Sequence, residues 1–214
     1  MNKSTSKFIS NCDTIFLDFD GVIKDSIKVK STAFRKLFSN FNFKIVESIV
    51  NHHQSHTGIS RFEKIPFYLS LVGEPVNEKN IAQYANDFSL LVKNLVIESP
   101  WVPGVLDFLE NNHHKKNLYV VTAAPKNEID EILQELRIYS YFKEVFGTPV
   151  SKIDAIKIVI ESLKPKSAIM IGDSSSDFDA AKINNIKFAL RRTEFNFALQ
   201  NELNCPTFEE FILK

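Results

Sequence analysis

Five short apolar runs set the strongest limit on how this chain can fold. TIFLDF (14–19), NLYVVT (117–122), YFKEVFG (141–147), SAIMIG (167–172) and IKFAL (186–190) are dominated by aliphatic, β-branched and aromatic residues. Continuous apolar runs of this length predict strands buried on both faces, as in a parallel sheet. Helix-length amphipathic segments separate the later ones. In KNEIDEILQEL, Ile129, Ile132, Leu133 and Leu136 recur at helical spacing, and Ile153, Ile156, Ile160 and Leu163 do so in KIDAIKIVIESL. Strand alternating with helix implies right-handed βαβ units, so the expected class is α/β with a doubly wound, Rossmann-like parallel sheet.

The stretch from about 27 to 98 breaks that rhythm. It holds no buried-strand run, its apolar residues fall at helical intervals, as in IAQYANDFSLLVKNLVI, and it is too long for one crossover. It is therefore expected to be an inserted α-helical cap domain (27–98) between two core segments, 1–26 and 99–214, with hinges near Asp25–Ile27 and Ser99–Pro103. SPWVPGVLDFLENN marks the return to the core, its two prolines stiffening the entry and Trp101 packing at the hinge. Asn184 and Asn185 stand where a helix should end, since Asn tolerates the left-handed conformation.

Charge and cysteine usage narrow the function. Lys plus Arg and Asp plus Glu number 26 each, so no overall field draws the protein to nucleic acid or a membrane surface. The N-terminus lacks the apolar core of a signal peptide, and no run approaches the length of a membrane helix. Cys12 and Cys205, near opposite ends, form neither a disulfide framework nor a metal spacing. A cytoplasmic location is expected.

The chemistry concentrates at strand ends. TIFLDFDGV runs an apolar strand into Asp18 and Asp20, and IGDSSSD does the same with Asp173 and Asp177. Ligands of an open α/β sheet bind outside the carboxyl ends of its strands, where the strand order reverses. If the two strands are neighbours, three or four carboxylates converge. Clustered carboxylates must be protonated or neutralised, and a hard divalent cation, best Mg²⁺, suits them because it also leaves room for water and a phosphate oxygen.

DFDGV after a buried strand, a Thr closing the second strand, a Lys opening a later helix and GDSSSD after the fourth together resemble the haloacid dehalogenase-like superfamily. The likeness is to its phosphatase branch with a helical cap, the group of phosphoglycolate phosphatase and β-phosphoglucomutase. That resemblance implies roles: Asp18 as the nucleophile that forms an aspartyl-phosphate, and Asp20 as the acid and base. It implies Mg²⁺ held by Asp18, the Asp20 carbonyl and Asp173, with Asp177 completing or orienting the shell. Thr122 and the backbone around Ala123 would bind phosphoryl oxygens, and Lys152 would neutralise nucleophile and phosphate, with Lys157 its rival.

TGISRFEKI resembles the cap segment of β-phosphoglucomutase, which makes Arg61 a candidate substrate contact. Lys30 stands where that mutase has a His, which favours hydrolysis of a small phosphorylated metabolite. The alternatives are a phosphomutase and a module that binds a phosphorylated ligand without turnover. His52, His53 and His56 lack an evident ligand partner and are expected on a polar cap surface, and LRRTEF (190–195) on a solvated one.

Overall fold

The computed structural model describes Met1 and residues 3–212. Helix α1 (Lys3–Ser10) leads into strand β1 (Thr14–Leu17), and four helices follow: α2 (Ile27–Leu37), α3 (Phe43–Ser55), α4 (Arg61–Val72) and α5 (Glu78–Glu98). The chain then alternates through α6 (Val105–Asn112), β2 (Asn117–Pro125), α7 (Lys126–Glu135), β3 (Glu144–Thr148), α8 (Lys152–Leu163), β4 (Ala168–Gly172), α9 (Ser175–Ile183), β5 (Lys187–Arg191), α10 (Phe197–Glu202) and β6 (Thr207–Phe208). All strand pairs are parallel and the order is β3-β2-β1-β4-β5-β6. This is a doubly wound order, as expected from the sequence, and it makes β1 and β4 neighbours, with β2 on the other side of β1.

Strand pleating sends alternate residues to opposite faces. Ile15 and Leu17 of β1 join Leu118, Val120, Ile169 and Ile171 in one buried cluster. Phe16 joins Tyr119, Val121 and Met170 against Ala155 and Ile156 of α8 and Ala180 of α9 on the other face. The first cluster continues without a break into Phe34 of α2, Val46 and Ile49 of α3, Tyr68 of α4 and Phe88 of α5. Insertion and sheet therefore share apolar burial.

Some boundaries move. The first strand stops at Leu17, because the Phe19 carbonyl closes a turn by accepting from the amides of Ile23 and Lys24. Tyr139–Tyr141 forms a single 3₁₀ turn, so the third strand begins only at Glu144. The second strand runs on to Pro125. β6, a sixth strand of two residues, is too short to leave a periodic signal. Asn184 follows α9, and Asn185 takes φ +52°, the left-handed conformation anticipated there.

The two crossings between sheet and insertion touch each other. Lys24 bridges Trp101 in antiparallel fashion, the Asp25 amide donates to the Pro100 carbonyl at 2.8 Å, and the Val102 amide donates to the Ile23 carbonyl at 3.1 Å. The Lys24 ammonium lies over the Trp101 ring, 4.2 Å from its centroid, and donates to the Ile97 carbonyl at 2.9 Å. Trp101 thus packs against Lys24 where the two crossings meet.

Candidate active site

Asp18 and Asp173 follow the carboxyl ends of the adjacent strands β1 and β4, and Thr122, expected to close the second strand, lies within β2 just past its register with β1. The Asp18 amide continues the ladder, donating to the Ile171 carbonyl at 3.0 Å. Its Oδ1 accepts from the Phe19 amide at 2.7 Å and its Oδ2 from Lys152 Nζ at 2.8 Å. Lys152 opens α8, with Ser151 capping the helix, and its Nζ also donates to Asp177 Oδ1 at 2.6 Å. Asp177 Oδ2 accepts from the amides of Asp173 and Ser174 and from the Ser174 hydroxyl. Asp177 therefore closes a capping box on α9 and anchors Lys152 with the same carboxylate. Lys157, the alternative lysine, points away at the surface within reach of Glu161.

Asp173 is different. It is buried, yet neither carboxylate oxygen has a hydrogen-bond partner. Asp18, Asp173 and Asp177 offer carboxylate oxygens that all lie within 4.8 Å of one another, the densest acidic cluster among the described residues. Such an orphaned buried carboxylate beside two others is what a hard cation with oxygen ligands satisfies. The donor set fits that cation. Gly21 makes the approach possible: at φ +75° it sits so close that a Cβ would lie 2.3 Å from Asp173 Oδ2.

Electrostatics follow from this packing. Burial pushes Asp18 up to about 7 against the pull of Lys152. Burial, with Asp18 and Asp177 nearby, lifts Asp173 well above the ordinary carboxylate range. Burial alone would lower Lys152, but Asp177 and Asp18 outweigh it and hold the ammonium above the ordinary lysine range.

Asp20 stands outside the triad. Its carboxylate accepts from the Ser26 hydroxyl at 2.5 Å and is ion-paired to Lys30. Burial opposes its ionisation, yet the Lys30 ammonium prevails and keeps it below the ordinary carboxylate value. Ser26 ends the first core segment and Lys30 belongs to α2, so the crossing and the first inserted helix hold this carboxylate between them.

Thr122, Ala123 and Ala124 share a cavity with Asp18, Asp20, Lys30 and Lys64, and Thr122 Oγ1 accepts from the Ala124 amide at 3.3 Å. Arg61 lines it too, but its guanidinium is occupied. It forms a bidentate pair with Glu128 of α7 at 2.5 and 2.8 Å and donates to Ser89 at 2.5 Å. Nearby, Ser176 donates to the Gly58 carbonyl at 2.9 Å and Thr148 to Ser60 at 3.2 Å. A Cβ at Gly58 would lie 2.1 Å from the Ser174 and Ser176 hydroxyls, so the approach of the insertion to the sheet requires glycine there.

Two stretches expected at the surface lie there only in part: His56, Arg192 and Glu194 are exposed, but His53 and Arg191 are not. His53 is buried against Phe34, ring centroids 4.8 Å apart, because it shares the inward face of α3 with Val46, Ile49 and Val50. His52 stacks on His56 and meets the Tyr68 hydroxyl instead of forming a metal group. Arg191 is also buried, donating to the carbonyls of Gly21 and Glu209 and to Asp25. Glu128, Lys64 and Ser26 were not singled out from the sequence, although the helical period puts Lys64 on the same face as Arg61, Ile65 and Tyr68. Among the described residues, no helix is long and apolar enough to cross a membrane.

The family model described as haloacid dehalogenase-like hydrolase matches residues 15–190. No curated protein sequence is significantly similar to the chain. Solved structures with the same fold include CbbY from Rhodobacter sphaeroides in complex with phosphate, at TM-score 0.74 and 15% identity, covering 94% of this chain and 95% of that one. β-Phosphoglucomutase from Clostridium difficile aligns at TM-score 0.70 and 20% identity, over 93% and 91% of the two chains. A predicted phosphoglycolate phosphatase from Haemophilus somnus aligns at TM-score 0.71 and 17% identity, over 94% and 95%.

Proposed function

The chain belongs to the haloacid dehalogenase-like hydrolase family, and from that premise we propose that it is a Mg²⁺-dependent phosphatase of a small phosphorylated metabolite, working through an aspartyl-phosphate. The observation that carries the proposal is the buried Asp18–Asp173–Asp177 cluster, with Lys152 joined to two of its members and both Asp173 oxygens unpartnered.

The residues divide the work. Asp18 attacks phosphorus, and the bond to the ester oxygen breaks as the bond to the carboxylate forms. The Phe19 amide fixes the carboxylate's rotation, and Lys152 offsets charge on it and on the phosphoryl oxygens. Asp20 passes a proton to the departing oxygen, then takes one from the water that attacks the acyl-phosphate and regenerates Asp18. Thr122 and the Ala123–Ala124 backbone orient the phosphoryl group. Asp18, Asp173 and the Asp20 carbonyl would hold Mg²⁺, with Asp177 as support, and the bound cation would supply the remaining charge compensation. In this reading the helices 27–98 act as a cap domain that keeps bulk water from the site.

A phosphate-release screen over small monoesters, with MgCl₂ and with chelator, tests this. Release that depends on Mg²⁺ is the expected result. Isomerisation of a sugar phosphate without free phosphate would favour the mutase alternative, and no turnover of any ester would overturn the assignment.

The cation makes a further expectation measurable. Asp18 and Asp173 are raised in the folded state, so in metal-free protein their contribution to stability is full at low pH. It is lost as pH climbs from the unfolded carboxylate value of 3.8 through about 7. Added Mg²⁺ should therefore raise Tm more at pH 8 than at pH 5. Lys64, pulled down to about 7 chiefly by burial, pushes the absolute Tm the other way above that pH. Hence the Mg²⁺ increment is the quantity to compare. Asp173→Asn should abolish the increment; an undiminished increment would remove Asp173 from the cation site.

A further inference from the structure

Lys64 is 3% exposed and lines the cavity that holds Asp18 and Asp20. Its Nζ meets His53 Nδ1 at 3.2 Å, and among the described residues no carboxylate lies within ion-pair distance of it. The other cations on that wall are already matched: Arg61 by Glu128, Lys30 by Asp20. His53 Nε2 is likewise buried without a partner. A lone ammonium out of water is strongly unfavourable unless an anion meets it. Burial, with Lys30 adding to it, has pulled Lys64 down to about 7, the response of a cation that lacks its counter-charge.

We propose that Lys64, backed by His53, is the subsite for a second anionic group on the substrate, which makes the substrate class short phosphate monoesters bearing a carboxylate or a second phosphoryl group. The inference rests on the phosphatase reading and gives it a specificity-determining residue. Lys64 lines the same cavity as Asp18, Asp20 and Thr122, so a short ester can reach both the nucleophile and this ammonium. Arg61, whose charge Glu128 already neutralises, is then the wall beside this subsite and not its main cation.

Three short esters separate the possibilities: 2-phosphoglycolate, ethane-1,2-diol bisphosphate and the neutral-ended 2-hydroxyethyl phosphate. One of the two anionic esters should exceed the neutral one in kcat/KM by roughly 10- to 100-fold, the range of a charge-assisted contact. Whichever wins identifies the group. Lys64→Met should bring that ratio to within about threefold, by a loss that falls on the anionic ester. Turnover of all three esters at similar kcat/KM would overturn the subsite while leaving the phosphatase reading intact. An equal loss on all three in Lys64→Met would also overturn it, since that is the mark of a merely structural lysine.

Calorimetry with Asp18→Asn protein and the same compounds in MgCl₂ decides the matter without turnover. Tighter binding of an anionic ester, lost in the Asp18→Asn, Lys64→Met double variant, supports the subsite even if no ester is hydrolysed. Equal binding of charged and neutral compounds rejects it.

Discussion

Asp18→Asn should lower phosphate release by roughly 10⁴-fold or more, the scale on which removal of a covalent nucleophile acts. The amide keeps the shape and can still accept from the Phe19 amide, so the loss is chemical and the fold persists. In metal-free protein at pH 8 the variant should melt no lower than the parent. It removes a carboxylate that burial has pushed up to about 7 and whose ionised form crowds Asp173 and Asp177. Release from p-nitrophenyl phosphate and a thermal melt measure both. Sustained turnover by folded, Mg²⁺-loaded variant would mean that another atom attacks phosphorus.

Lys152→Met should cost activity on the order of 10²–10³-fold, because in the proposed mechanism the ammonium is the fixed positive charge against which the transition state develops. It should also destabilise the fold by about 3–5 kcal/mol, the usual cost of leaving buried partners of a salt bridge uncompensated. Here two carboxylates, Asp18 and Asp177, lose one cation. Protonation relieves the repulsion that remains, so the deficit should be larger at pH 8 than at pH 5. Chemical denaturation at both pH values checks the sign. An unchanged midpoint would mean that the pair contributes nothing net to the fold.

Much of the architecture was legible because parallel βαβ units impose patterns that survive in sequence. The five apolar runs mark five of the six strands, and KIDAIKIVIESL marks α8 end to end. Asp18 and Asp173 could be placed together because strand order dictates which carboxyl ends adjoin. What the sequence did not disclose are the partners chosen by tertiary packing. Nothing local to Arg61 announces Glu128, 67 positions away. Lys64 was within reach of sequence reasoning, since the helical period that buries Ile65 and Tyr68 buries it as well. A lysine in the middle of an apolar helix face is a stronger sign than an arginine at a helix start, because it has no cheap structural explanation. The histidine segment misled in the opposite direction: a polar composition suggested a wet surface, while phase along α3 turned His53 inward.

The paired crossings at Lys24 and Trp101 have a mechanical meaning. Two segments of chain that are hydrogen-bonded to each other are restrained from swivelling independently. Asp20 bridges to Lys24 on this paired segment, and the Gly21 amide is bonded to the Lys24 carbonyl at 2.7 Å. In the proposed mechanism, a tilt of the four helices away from the sheet would therefore carry the Asp20 carboxylate with it, and proton transfer would stay in step with enclosure.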